Sequence, residues 1–228
     1  AIYGFRAANG VILVTTKMGK VGRVMVDYTF NGAIHTPTRL FDLITISAEY
    51  MELWNEAKRN NGTQAGLYPQ ETIDLYRNAT DRIQYPNTKW LDIVFNPAFV
   101  QQHNVTVNGG SENTQFNLSL GLVDQPGVMV GFDYKRYNAR LNLSTKVSEW
   151  LKIGANISAK QGDTQRPRQG AEDAFIATLS QAPTYGPQLA DGRYTFKAYD
   201  FEYNNKNLLA IVDNNAFWKN RDYSLNFQ

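Results

Sequence analysis

The sequence has no cysteine, only two histidines among its 228 residues, and a formal net charge of only +2. Without thiols the chain has no disulfide scaffold, no structural thiolate zinc site and no cysteine nucleophile. The small net charge gives no reason to expect nucleic acid as a partner, even with a pI near 8.7. Absent cysteine fits a chain that crosses an oxidising periplasm, but many cytosolic chains also lack it, so the compartment stays open.

Long apolar runs are also missing. The mean hydropathy is −0.44, and the sequence contains no continuous apolar stretch of the roughly 18 residues that a transmembrane helix needs. A membrane β-barrel remains possible, because about half of the residues in each of its strands face a polar interior. The informative signal must therefore come from the periodicity of short segments.

Apolar and polar residues alternate along several stretches of the chain. Successive side chains of a strand point to opposite faces, whereas a helix would spread both sets around its circumference. The alternation therefore predicts an all-β, antiparallel sheet with one apolar and one polar face. Several stretches reach about 10 residues, the length that a tilted strand needs to cross a bilayer. The six predicted strands contain residues Val24–Ile34, Val105–Val107, Phe116–Leu122, Tyr137–Val147, Leu151–Ala159 and Tyr223–Phe227.

The connectors between these strands differ sharply in length. The first and fifth are long, over about residues 37–99 and 161–220, and the others are short. In an up-and-down sheet, odd and even connectors emerge at opposite ends. Long connectors at one end only are typical of outer-membrane barrels, which have short periplasmic turns and long external loops.

Short helices are predicted within the long loops. Ser47 is a candidate N-cap for a helix that Gly62 can end. Pro69 opens a second helix, and residues Ala171 to Gln181 form a third, which stops before a proline. Loops of this length with their own helices are usually functional.

Aromatic residues collect near the predicted strand ends. Amphipathic rings favour the interface between a membrane and water, so we interpret them as part of an aromatic belt, with ordinary packing as the alternative. These residues are Phe132, Tyr134, Trp150, Phe217, Trp218 and Tyr223.

The second long loop holds the candidate ligand-binding residues. Tyr185, Tyr194, Phe196 and Tyr199 lie among Asn and Asp residues, a combination that suits sugar rings or peptides, although packing within the loop explains it too. Arg166 and Arg168 could bind an acidic ligand or simply be solvated.

No catalytic constellation, cofactor motif or metal site is apparent, so we do not expect an enzyme. His35 and His103 lie on different predicted strands. We expect a lone histidine among polar, interior-facing residues to be hydrogen-bonded rather than to bind a metal.

The first residues of the chain depart from the alternation. Asn9-Gly10 is a turn signal, and Val11 to Val14 form a continuous apolar run suited to a strand buried on both faces. This stretch resembles the end of the plug domain of SusC/RagA-type TonB-dependent outer-membrane transporters. Residues 104–112 and 119–127, the latter containing Asp-Gln-Pro-Gly, are also similar to that family. The matching plug residues are Tyr3, Gly4, Arg6, Ala8, Asn9, Gly10, Val11, Val14, Thr15, Thr16 and Lys17.

The resemblance implies a division of the chain and a set of partners. Residues 1–21 would be the C-terminal end of a plug, and residues 22–228 the first six strands of a transmembrane barrel of about 22 strands in a longer protein. Its function would be TonB-dependent import of an oligosaccharide or peptide across the outer membrane. The implied partners are a SusD-like surface lipoprotein acting as a lid, outer-membrane lipid, and the TonB complex through residues outside this sequence.

Two alternatives stay open at this point. A TonB-dependent receptor for an iron chelate or cobalamin would share the barrel, although the Asn-Gly-Val and Asp-Gln-Pro-Gly stretches favour the SusC/RagA branch. A soluble β-sandwich binding module would cover its apolar face with a second sheet. Strand length and the positions of the long connectors argue against the sandwich.

Overall fold

The computed structural model describes residues 17–168, 170–195, 197–199, 201–202, 207–213 and 217–227. Within these ranges six β-strands form one antiparallel sheet in the order of the sequence, which confirms the predicted meander. Each strand pairs with its neighbours along the chain. The strands are β1 (Gly22–His35), β2 (Ala98–Gly110), β3 (Thr114–Pro126), β4 (Asp133–Lys146), β5 (Lys152–Pro167) and β6 (Phe217–Phe227).

The strand register confirms the two faces that the alternation predicts. One row of opposed residues across the sheet is entirely apolar: Val26, Val107, Leu118, Leu141, Ile157 and Phe227. The neighbouring row is polar: Asp27, Thr106, Ser119, Arg140, Ser158 and Asn226. Val26 is 66% exposed and Leu225 61% exposed. In the described part of the chain no second sheet covers the apolar face.

One predicted orientation is wrong. His103 lies on the apolar face, opposite Phe30 of β1, and not among the polar residues. Its Nδ1 atom is 2.7 Å from the hydroxyl of Tyr28, and its ring centroid is 5.0 Å from that of Phe30. The position follows from the pleat, because His103 shares its parity with Val105 and Val107. His35 has the parity of Asp27 and lies on the polar face.

The first and fifth connectors are long and the other three are short, as predicted. The loop between β1 and β2 spans residues 36–97, whereas β5 continues to Pro167 and β6 begins at Phe217. The second long loop is therefore shorter than the alternation predicts, and Arg166 belongs to β5 instead of a loop. The reason is that the ladder of hydrogen bonds continues after the outward-facing residues become polar, from Gln161 onward.

The described parts of the long connectors contain five helices. Three match the predictions, while α3 and α5 were missed. Their bounds are α1 (Ser47–Asn60), α2 (Gln70–Asn78), α3 (Trp90–Val94), α4 (Gly170–Leu179) and α5 (Leu208–Asp213). Gly62, with φ of +71°, follows the end of α1, and Pro69 is the N-cap of α2. None of the helices that the structure describes has the length and apolar character needed to cross a membrane.

The prediction that Ser47 caps α1 through its side chain is wrong. Ile46 occupies the N-cap position. Ser47 is buried in the first turn, where its Oγ lies 2.5 Å from the carbonyl oxygen of Pro86 and 2.9 Å from that of Pro183. The hydroxyl therefore ties together distant parts of the two long loops instead of satisfying the helix end.

Candidate ligand and partner surface in the long loops

The two long loops interlock into one unit, called here the loop module and consisting of the described residues of 36–97 and 168–213. Backbone and side-chain hydrogen bonds join them: Tyr76 Oη donates to Thr184 O over 2.9 Å, and Trp90 Nε1 donates to Ala182 O over 2.9 Å. Buried apolar residues from both loops pack around these bonds. The loop module is thus an ordered body with its own cores.

A buried carboxylate lies at the centre of the loop module. Glu202 is 4% exposed. Its Oε1 accepts hydrogen bonds from Tyr68 Oη and Thr184 Oγ1, each at 2.6 Å. Its Oε2 accepts from the backbone N–H groups of Ala198 and Tyr199 at 2.8 and 3.1 Å. Four donors offset the cost of taking the carboxylate out of water.

The tyrosines near Glu202 are held in their neutral form. Burial, with the negative charge of Glu202, raises the pKa of Tyr50 to about 12. Burial and the hydrogen bond to Glu202 raise the pKa of Tyr68 still further. Burial is also the main cause of the raised pKa values of Tyr76 and Tyr185. These hydroxyls keep their protons at neutral pH, and those of Tyr68, Tyr76 and Tyr185 donate hydrogen bonds.

Sequence analysis missed this centre for a physical reason. Glu202 is a single carboxylate beside aromatic residues, and neither strand nor helix periodicity marks it. The only available signal was the concentration of aromatic residues in the same loop, which was interpreted as a ligand surface.

Two of the candidate ligand residues lie inside the loop module. Tyr185 is 4% exposed, packs edge-on against Trp90 at 5.5 Å, and donates its hydroxyl to Gln181. Tyr199 is half-buried, with its ring centroid 5.2 Å from that of Tyr68. Packing accounts for the positions of both rings.

The other candidates are more accessible. Tyr194 is half-exposed and its hydroxyl donates to Asp213. Arg166 lies on the polar face of β5 with its guanidinium 4.7 Å from the ring centroid of Trp218, a cation–π contact. Arg168 is exposed just beyond the strand. Phe196 and the plug-motif residues Tyr3, Gly4, Arg6, Asn9 and Gly10 lie outside the described residues.

A cavity that the sequence did not indicate opens beside α1 and α3. Its volume is about 350 Å³, near the lower end of the range for ligand sites. Apolar groups and side chains that can form hydrogen bonds converge on it. Its lining includes Phe41, Tyr50, Lys89, Trp90, Leu179 and Gln181. The cavity can accept one ring or side chain of a larger ligand.

The polar face of the sheet bounds a second, much larger space of about 1350 Å³. Asparagine, serine and threonine side chains predominate on this wall, and cations outnumber acids. The charged residues that line it are Lys17, Lys20, Asp27, Arg136, Arg140 and Lys160. Among the described residues no three histidine, aspartate or glutamate side chains converge closely enough to hold a metal ion.

Known proteins with similar sequences include two TonB-dependent receptors. TonB-dependent receptor P26 of Formosa agariphila is 32% identical over 85% of this chain and 18% of its own length. TonB-dependent receptor SusC of Bacteroides thetaiotaomicron is 30% identical over 81% of this chain and 17% of its own length. The chain belongs to the SusC/RagA-type TonB-dependent receptors. It spans about a fifth or less of the curated relatives it matches, and no protein-family profile matches it.

Solved structures show the same fold as this receptor segment. The RagAB peptide importer in its closed-closed state superposes with a TM-score of 0.60 at 23% identity, over 89% of this chain and 25% of that one. The open-open state gives a TM-score of 0.61 at 21% identity over the same shares. The curated relatives confirm the family that the first residues and the strand motifs indicated, and the solved structures confirm the fold.

Proposed function

We propose that the complete protein imports a large nutrient, an oligosaccharide or a peptide, across the outer membrane in a TonB-dependent manner. The observation that carries the proposal is the two-faced six-stranded sheet, with long connectors at one end only, in a chain of this receptor family. The similar RagAB protein is named a peptide importer, and this supports transport without choosing between peptide and sugar.

The apolar face has the dimensions of a membrane-facing band. A row of charged residues crosses this face near the end from which the long connectors leave. In this row Lys135 contacts Asp124 at 3.1 Å and Arg221 contacts Asp163 at 2.5 Å. The next row of the same face toward the short turns contains Tyr137 and Tyr223. The rows beyond it are apolar as far as Phe116 and Leu143.

The height of this band can be estimated from strand geometry. From Tyr137 to Val147 the chain covers about 33 Å at roughly 3.3 Å per residue, which a strand tilt of about 40° reduces to about 25 Å. That is the height of the apolar band on outer-membrane barrels. Trp150, 84% exposed, follows at the end with the short turns.

The positions of the connectors define the proposed orientation. Both long connectors leave the sheet on the side of the charged row, so the loop module would lie outside the cell and the short turns in the periplasm. The module exposes Phe41, Ile44 and Ile46 near the 350 Å³ cavity. These apolar residues support contact with a substrate or with a SusD-like lipoprotein lid.

The polar face would line the interior of a barrel completed by strands beyond this segment. In this proposal residues 1–21 end the plug that blocks the interior, residues 22–228 contribute six barrel strands, and the TonB complex acts through residues elsewhere in the protein. Binding and movement of the substrate require no covalent chemistry, so the protein is proposed as a transporter and not an enzyme.

Growth and uptake measurements test this function. A strain that lacks the complete protein should lose uptake of one class of polymeric nutrient, and deletion of TonB should cause the same loss. Plasmid-encoded protein should restore uptake only when TonB is present. Uptake that persists in the strain without TonB would mean that the strands form an open pore.

A further inference from the structure

We propose that residues Lys17–Lys20, the entry segment that leads into β1, are latched to the polar face of the sheet by Gly19 and Asn142. When a force pulls on the residues that precede Lys17, the latch passes that force to β3 and β4 before it reaches β1. That such a force exists rests on the proposed TonB-dependent function. The latch itself rests on contacts of described residues.

The first part of the latch is a hydrogen bond. Asn142 Nδ2 donates to the carbonyl oxygen of Lys17 over 2.7 Å. Asn142 lies on the polar face of β4, in one register row with Asn108, Asn117 and Asn156. Asn142 is 1% exposed, whereas Asn156 in the same row is exposed. The row is covered at the position where the entry segment crosses it.

The second part of the latch is a close backbone approach. A Cβ atom at Gly19 would overlap the backbone nitrogen and carbonyl oxygen of Phe116. Backbone atoms of a paired strand cannot rotate away, so only glycine fits here. Phe116 is adjacent to Asn117, which opposes Asn142. The entry segment is therefore held by β3 and β4 at the same level of the sheet.

The chain changes direction between the latch and β1. Gly22 has φ of +138°, a conformation that favours glycine, and the register of β1 against β2 shifts between Gly22 and Met25. Without the latch, a pull from upstream would fall on the first hydrogen bonds of β1. Those bonds would then break one at a time. The latch transfers the load to two interior strands, each paired on both sides.

Spin-label distances test whether the latch exists. Met18→Cys and Ser111→Cys provide two exposed label sites in the complete receptor, with any cysteines elsewhere replaced. We expect a narrow distance distribution in the parent protein. Asn142→Asp removes the donor without changing side-chain volume and should raise the detached population roughly 2- to 10-fold, the effect of one hydrogen bond. Asn156→Asp places the same charge in the same row and should leave the distribution unchanged.

Because a carboxylate at residue 142 would attract nearby lysines, a second variant tests the latch without adding a charge. Gly19→Ala should lift the entry segment and broaden the distribution, whereas Gly154→Ala should not, since its Cβ would meet only the Leu143 carbonyl oxygen at 3.8 Å. If both latch variants match their controls, the latch is wrong.

Single-molecule pulling tests the mechanical role. With a handle placed ahead of Lys17, the complete parent protein in a membrane should show a force peak before β1 detaches, and Asn142→Asp and Gly19→Ala should lose it. A parent trace in which β1 detaches first would overturn the proposed load path. TonB-independent uptake would remove the source of the pull but leave the distance result intact, so the two failures are distinguishable.

Discussion

The buried carboxylate of Glu202 shows how one side chain joins two loops that are distant in sequence. Its four hydrogen bonds connect residue 68 of the first long loop with residues 184, 198 and 199 of the second. Because the acceptors are buried, loss of the charge leaves backbone donors without a good partner. The fit between the loops therefore depends on this residue more than on any exposed ion pair.

We expect Glu202→Gln to loosen the loop module. The amide keeps one oxygen, but its NH₂ group would face backbone N–H donors, at a cost of about 1 to 3 kcal/mol. Limited proteolysis of the complete protein should then cut the long loops faster. Glu56→Gln, an exposed substitution on α1, is the matched control. Equal cleavage of the two variants would contradict a central role for Glu202.

The raised pKa of Tyr50 predicts a pH dependence of the loop module. Its pKa rises from the ordinary 10.0 to about 12 on folding, because burial and Glu202 disfavour the tyrosinate. The contribution of protonated Tyr50 to the free energy of folding is therefore fully present below pH 10. It is lost as the pH rises from about 10 to about 12.

Absorbance at tyrosinate wavelengths in the complete protein measures this shift. The difference between the parent and Tyr50→Phe should contain a component that titrates near pH 12. A Tyr50 component near pH 10 would show that the hydroxyl is open to water.

At the scale of elements, the strands were predictable and much of the loop module was not. Alternation located all six strands and, apart from His103, the faces of their residues, since the pleat fixes which residues share a side. The short helices α3 and α5 have too few residues for a periodic signal. Serine is a common N-cap residue, but the hydroxyl of Ser47 hydrogen-bonds to carbonyl groups of the long loops instead.

The candidate site was only partly predictable for the same reason. An aromatic loop sequence does not reveal whether a ring packs inward, as Tyr185 does, or stays accessible, as Tyr194 does. That choice depends on residues of the first loop, such as Trp90, which lie far away in sequence. The ligand roles of the accessible residues remain predictions.

The placement of the connectors predicts a topology that labelling can check. Cysteines introduced at Gln64 and Asp191, both exposed in the loop module, should react with an impermeant maleimide on intact cells. A cysteine at Ser111, in the short turn between β2 and β3, should react only after the outer membrane is opened. Reaction at Ser111 on intact cells, without reaction at the other two, would reverse the proposed orientation.

At the scale of the whole molecule, the exposed apolar face of the sheet needs a cover. Val26, Phe30, Leu225 and Phe227 are each largely exposed in the segment, and this much bare hydrocarbon is costly in water. Lipid would satisfy the face without a second protein layer, and the charged row of Lys135 and Arg221 would stay near the headgroups. The polar face would then enclose water and the plug.

The most direct measurement compares two neighbouring arginine substitutions in the complete receptor folding into lipid bilayers. Leu118→Arg places a charge on the apolar face near the middle of the band and should cost about 2 to 4 kcal/mol of folding free energy. Ser119→Arg places the same side chain on the polar face and should cost far less, because the interior of a barrel is polar. If lipid covers the apolar face, only Leu118→Arg should cause a large loss of folding free energy. Equal losses for the two variants would contradict the assignment of the apolar face to lipid.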